Sequence, residues 1–348
     1  MASNDSDTTG IPNSTILASV EPTGNEPWLP KLTDHVLFSE QVWVKFIYGS
    51  VAVTGIVGNS VVIATILKNR FLKINTYYFI LSLALADVMA CVTLIPVKVF
   101  PMSYVPSGFG GEILCRLVVS EVLMWSSVAS SGFHLGAIAL EKYIAIVHPY
   151  KYINVTRKRT LICIFTLWSL AIASETYLAF IYEYDDAHCI IGLTNTKRMY
   201  VKISAIAQFF FFFLAPTSLM FFSYVKMFRA LNVEDQIIRS TTGPSYEMER
   251  EKFIARKNVV KMLATVVVTF FCCHLANQVY WFGYNVGLAV DLAGVPYNIT
   301  VMLSFANSCM NPFIYAIKYR KFRDGMRYLF CNSVSSVAQS GIPSVDIM

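Results

Sequence analysis

The sequence predicts an all-α membrane protein, a seven-transmembrane helix bundle followed by a short amphipathic helix on the membrane surface. Two observations carry this. Of the 348 residues, 55% are hydrophobic and 14% charged, with a mean hydropathy of +0.52, whereas soluble domains carry about a quarter charged residues. Apolar stretches of roughly 20 residues, enough to cross a ~30 Å hydrocarbon core at 1.5 Å per residue, recur at 45–68, 76–100, 114–147, 159–182, 199–228, 257–284 and 295–317.

The segments between the spans set the expected orientation. Residues 68–73, 148–159, 226–257 and 318–348 hold 19 Lys and Arg, against four (Lys31, Lys45, Lys197 and Arg198) in the segments on the other side. Basic loops stay inside, so the N-terminus is expected outside the cell and the tail in the cytoplasm. The net charge of +6 then reads as contact with anionic lipid, and no basic soluble domain suggests nucleic acid. The opening "MASNDSDTTG" lacks the basic-then-apolar pattern of a cleavable signal, so the first span is expected to direct its own insertion.

Residues 1–44 are polar, with scattered Pro and Gly, and read as a disordered extracellular segment. It carries glycosylation sequons at Asn4 and Asn13. Two further matches, at Asn154 and Asn298, fall on the cytoplasmic side and at a span mouth. After the seventh span, "KYRKFRDGMRYLFC" sets Tyr319, Phe322, Met326, Leu329 and Phe330 on one helical face and the bases elsewhere, so 318–331 is expected to lie on the inner leaflet. Cys331 at its end is a candidate palmitoylation site, and 332–348 is a cytoplasmic tail.

Polar side chains inside lipid are costly unless paired or facing a cavity. Asp87, in "LSLALADVMA", has no base nearby on its own helix. With Asn59, Ser131, Asn307, Ser308 and Asn311 it forms either a structural hydrogen-bonded network or a site for a small cation. Asn311 precedes Pro312, which removes a helix bond and bends the chain; Asn311 is expected to bond across the broken turn. Pro216, in "FFFFFLAPTSLM", raises the same options.

Gly58-Asn59, "LALAD", "ALEKYIAIVHP", Trp168, Pro216 with Tyr224 two turns later, and "NPFIY", in this order over residues 45–331, resemble the rhodopsin-like, class A G-protein-coupled receptors. The resemblance implies a plasma-membrane receptor for an extracellular ligand that activates heterotrimeric G proteins by rearranging its helices. It implies a disulfide between Cys115 and Cys189, both facing an oxidising compartment. It also implies a sodium pocket formed by Asp87, Ser131, Asn307, Ser308 and Asn311, which favours the cation reading, with no other metal or cofactor. Glu141, Lys142, Tyr143, Tyr224, Asn311, Pro312 and Tyr315 match the family's coupling switch.

The match breaks in several places. Lys142 stands where the family has Arg, and loses the planar five-donor fork. Arg256 and Lys257 lie where some members carry an acid, and are expected to repel Lys142. Glu141 and Lys142, being adjacent, are expected to need partners on other elements at a membrane end where charge meets water. Together these predict a loosely restrained resting state with weakened or altered coupling. His274 replaces the family's Trp and Ala276 its Pro, so the sixth span lacks its usual kink. His274 reads as a neutral, hydrogen-bonded core residue in preference to a pH sensor. Gly132 stands opposite Phe270 where a branched aliphatic is usual. Cys115 lies 27 residues before Lys142, two more than usual, which predicts an extension or a bulge near Glu121.

Lys98, Glu121, Met124, His274, Asn277, Gln278, Trp281, Val301 and Phe305 are the candidate ligand-pocket residues. Lys98, Glu121 and Glu175 either pair among themselves, or Lys98 meets a ligand carboxylate. Met124 at the amine receptors' acidic position disfavours an amine, and Phe305 at the retinal-lysine position disfavours an opsin. Glu183, Asp185 and Asp186 in the second outer loop form an acidic rim suited to a basic peptide, so a peptide ligand is favoured. The competing readings are a receptor-like decoy or scaffold with little G-protein coupling, and a seven-helix ion or proton transporter relaying through Asp87 and His274. No nucleophile with its base, no phosphate loop and no metal cluster suggests an enzyme.

Overall fold

The computed structural model describes residues 42–69, 75–102, 105–185, 187–192, 194–240, 246–292 and 294–330, without the side chains of Lys321 and Phe330. Asn4, Asn13, Asp186, Cys331 and the tail therefore lie outside the described residues. Six helices are long and apolar enough to cross a membrane: α1 (Val42–Lys68), α2 (Asn75–Val99), α3 (Phe109–Val147), α4 (Arg157–Ile181), α5 (Asn195–Ser240) and α6 (Tyr246–Val286). A seventh, α7 (Val295–Lys318), has 24 residues, length enough to cross. It falls short in hydropathy, unlike the expectation of seven apolar spans. The cause is a polar inner face of Ser304, Asn307, Ser308 and Asn311, all buried in the bundle where lipid does not meet them. The short helix α8 (Arg320–Phe330) follows.

Local chemistry sets where these helices start and bend. The Thr156 hydroxyl accepts from the Arg159 N–H to open α4, and Thr194 accepts from the Lys197 N–H to open α5, each satisfying an orphan donor of a first turn. Pro296 sits in the first turn of α7, where its missing N–H costs nothing. Pro216 cannot donate to the carbonyl one turn back and its ring crowds it; the helix answers with a widened π segment at Gln208–Leu214. With Ala276 in place of Pro, α6 is a continuous helix of 41 residues.

The bulge expected in α3 is present in two parts. A π turn covers Cys115–Val119, and Glu121 adopts a left-handed φ of 67°, a strained conformation for a residue with a Cβ. These absorb the extra residues and re-aim the following side chains.

α3 runs through the middle of the bundle and packs on α2, α4 and α5, while α7 closes the ring against α1 and α6. After α4, β1 (Tyr182–Asp185) and β2 (His188–Ile191) form an antiparallel hairpin with Tyr184 opposite Cys189. The Cys115–Cys189 disulfide ties it to the head of α3. The bundle thus has a hairpin end and an α8 end. At the latter, Phe322 of α8 is buried against Tyr315 of α7, ring centroids 5.9 Å apart. α5 and α6 run past their apolar stretches, to Ser240 and back to Tyr246, well beyond the expected limits of 228 and 257.

Candidate functional site

Three sites lie along the bundle axis. At the hairpin end a cavity of ≈ 380 Å³ opens among the helices, lined by Lys98, Glu121, His274, Asn277, Gln278, Trp281 and Val301 from the expected set, together with Tyr48, Trp125, Glu175 and Gln208. Met124 and Phe305 do not line it. Both are fully buried in the apolar cluster beneath, because the left-handed turn at Glu121 brings Trp125 to the wall instead, its ring 5.4 Å from that of Phe305.

Lys98 is engaged rather than free for a ligand carboxylate: its Nζ donates to Glu121 Oε1 at 2.7 Å, and Trp125 Nε1 donates to Glu121 Oε2 at 2.8 Å. Glu175 does not join this pair. Its Oε2 accepts from Gln208 Nε2 at 2.8 Å, and Gln208 Oε1 accepts from Trp281 Nε1 at 3.2 Å, linking α4, α5 and α6. Gln208 was missed in the sequence, although an amide ahead of five Phe is a visible break in an apolar run. Of the acidic rim, Glu183 is paired with Lys197 and Asp185 is exposed.

The floor of the cavity is aromatic. His274 is buried as expected and also lines the cavity, its ring 4.5 Å from Phe270, but the expected hydrogen bond is not found among the described residues. Gly132 is there because a Cβ would come within 2.8 Å of Phe270 Cζ. The pair is a small-for-large exchange, with the ring occupying space that a branched side chain would fill.

Below it, Asp87 is fully buried. Ser131 Oγ donates to Asp87 Oδ1 at 3.0 Å and Asn311 Nδ2 to Oδ2 at 2.8 Å. Asn311 therefore bonds across to α2, not across the turn broken by Pro312. Asn59 Nδ2 donates to the Ser308 carbonyl at 2.8 Å. The Oδ1 atoms of Asn59, Asn307 and Asn311 are buried without a donor among the described residues. A carboxylate among surplus amide oxygens is an oxygen-rich donor set, which fits a small hard cation.

At the α8 end the expected loose switch is not found. Glu141 and Lys142 are 4% and 6% exposed, not in water, and they pair with each other at 3.3 Å. Thr76 of α2 clamps both: Lys142 Nζ donates to Thr76 Oγ1 at 2.6 Å, and Thr76 Oγ1 to the Glu141 carboxylate at 2.9 Å. Tyr152 donates to Glu141 Oε1 at 2.6 Å. Burial, and then the Glu141 charge, push the Tyr152 phenol well above its ordinary value, so it remains the donor. Long side chains bend back at a helix end, so adjacency does not keep these two apart.

The expected repulsion is also absent. Arg256 is paired with Glu234, and Lys257 lies 3.3 Å from Asp235, both acids on the extension of α5. The cavity among Thr76, Tyr77, Lys142, Arg256 and Tyr319 is closed to ≈ 30 Å³. Tyr224 and Tyr315 are buried, and the Tyr315 hydroxyl has no partner among the described residues. Tyr143 packs against Phe222 and His148. Thr76 and Tyr152, missed in the sequence, join Glu141 and Lys142 in one hydrogen-bonded cluster.

Residues 58–315 match the family described as 7 transmembrane receptor (rhodopsin family). Among curated relatives, galanin receptor 2a of Danio rerio is 27% identical, with 84% of this chain and 78% of that protein covered. Octopamine receptor beta-2R of Chilo suppressalis is 24% identical, with 91% and 86% covered. Cholecystokinin receptor type A of Homo sapiens is 24% identical, with 92% and 85% covered.

Proposed function

Since the chain belongs to the rhodopsin family of seven-transmembrane receptors, and is a G-protein-coupled receptor and not an enzyme, we propose that it answers an extracellular peptide and that the folded chain described above is its resting state. The observation that carries this is the asymmetry between an open cavity of ≈ 380 Å³ at the hairpin end and a space of ≈ 30 Å³ at the α8 end. The basic loops support a cytoplasmic α8 end. A cavity of this size takes the terminus or a few side chains of a peptide, and the hairpin and its exposed Asp185 steer the remainder.

Ligand binding favours an arrangement in which α6 leaves α5 and α2, opening the closed end to a G-protein helix. Lys142 then exchanges Thr76 and Glu141 for new partners, for which the unpaired Tyr315 hydroxyl stands ready. The galanin and cholecystokinin receptors are named for peptides and the octopamine receptor for an amine. Neither Met124 nor Trp125 puts an acid at the amine receptors' place on α3, and the neighbouring Glu121 is spent on Lys98, so the peptide reading is preferred.

A sodium ion held by Asp87, Ser131, Asn307, Ser308 and Asn311 is part of the same proposal. It would stabilise the resting arrangement by holding α2, α3 and α7 together. Asp87→Asn is expected to remove any sodium dependence of basal signalling; retention of that dependence speaks against the site. The main experiment is a screen of peptide and amine libraries against the expressed receptor with a broad G-protein readout. Peptide hits support the proposal, and response to amines alone contradicts it.

A further inference from the structure

The cavity wall carries two carboxylates and one lysine, and the lysine is already taken. Lys98 and Trp125 between them occupy both oxygens of Glu121. Glu175 faces the same cavity at 8% exposure and meets no Lys, Arg or His within ion-pair distance among the described residues. Buried carboxylates normally have a cationic partner, and none of the described residues supplies one here.

Its hydrogen bonding is incomplete in the same sense. Glu175 Oε2 accepts a good bond from Gln208, but Oε1 has only the neighbouring Ser174 hydroxyl at 3.4 Å. Also on the cavity wall, Gln278 Oε1 is shut off from solvent and has no donor among the described residues. Gln208 cannot turn to serve either atom, because Trp281 holds its carbonyl and Glu175 its amide. The wall therefore presents fixed, under-used acceptors and a carboxyl group with no cationic partner among the described residues.

We propose that Glu175 is the anchor for a cationic group of the ligand, a guanidinium or an ammonium, with Gln278 accepting a further hydrogen bond and Gln208 holding the carboxylate in place. Guanidinium fits best: its five donors satisfy a carboxylate and an amide oxygen together. The site is separate from the Lys98–Glu121 pair, which stays closed when the cation enters. This assignment rests on the reading of the cavity as the ligand site, and it specifies the ligand's charge.

The test uses the full-length receptor in lipid nanodiscs and two matched probes, 4-phenylbutylguanidine and the neutral 4-phenylbutylurea, with binding read from thermal stabilisation. The guanidine is expected to bind at least about 30-fold more tightly than the urea, the scale of a buried charge pair. Glu175→Gln, which keeps an amide partner for Gln208 and so preserves packing, is expected to reduce that preference to near unity. Asp324→Asn on α8, at the opposite end of the bundle, is expected to leave it unchanged. Stability without probe confirms that each variant is folded.

Equal binding of the two probes to the natural protein, or a preference that survives Glu175→Gln, overturns the proposal. N-acetylarginine amide and octopamine, tested in parallel, separate a peptide side chain from a small amine as the source of the cation. Dependence of either on Glu175 supports the assignment, and dependence of neither overturns it. A guanidine preference lost in Glu175→Gln, with no nucleotide exchange in response to any peptide, would refute the peptide reading and leave the anchor standing.

Discussion

At the hairpin end the helices stand apart around ≈ 380 Å³, with an acid that lacks a base and an amide oxygen that lacks a donor among the described residues. At the α8 end they close on ≈ 30 Å³, and Glu141, Lys142, Arg256 and Lys257 all have partners of opposite charge. Under the proposed function, the unfilled polar capacity is where the ligand binds and the filled capacity is what activation breaks. The covalent tie at the first end and the ionic ties at the second follow the same division, since a binding site needs a fixed frame and a switch needs reversible bonds.

The largest expected effect tests the frame. Cys115→Ser opens the link between the hairpin and α3, which spans 74 residues of chain, and the loop-entropy cost is about 4 kcal/mol. Surface expression should fall to a small fraction of the natural level, measured by antibody labelling of intact cells; full expression would mean that the hairpin end needs no frame. Next comes the joint between the two ends. In Gly132→Ala the new Cβ lies 2.8 Å from Phe270 Cζ, so the ring must move, at a cost of about 1–3 kcal/mol. Thermal unfolding of the purified receptor should drop by several degrees, and an unchanged midpoint would show that the ring has room to spare.

The smallest effect is at the α5–α6 contacts. Glu234 and Asp235 are partly exposed, where ion pairs contribute little. Glu234→Ala with Asp235→Ala should raise ligand-independent signalling a few-fold, read as second-messenger output at matched surface expression. A decrease would mean that these pairs support the active arrangement instead.

Much of this was legible in the sequence. Seven spans could be read from apolar length, α7 with the least margin, and the spacing of 27 residues from Cys115 to Lys142 signalled an extension or a bulge before its form was visible. Its consequence was not legible: which of Met124 and Trp125 faces the cavity depends on the backbone angle at Glu121, and no residue pattern encodes that. α7 follows a different logic, because a helix that turns polar groups inward is less apolar than one bathed in lipid. The acids that neutralise Arg256 and Lys257 lay in a segment assigned to a loop, since apolarity marks where a helix meets lipid and not where it ends. The pairing of Glu141 with Lys142 was missed because helix geometry separates adjacent Cβ atoms, while Thr76, distant in sequence, brings the side-chain ends together.

The central claim is that Thr76 holds Lys142 and Glu141 in the resting position, and the most direct measurement is guanine-nucleotide exchange by the purified, ligand-free receptor reconstituted with a G protein. Thr76→Val keeps the shape and removes the hydroxyl that joins the two charges; hydrogen bonds to charged groups are worth about 1.5–3 kcal/mol, so basal exchange should rise about tenfold or more. An exchange rate equal to or below that of the natural receptor would contradict the account.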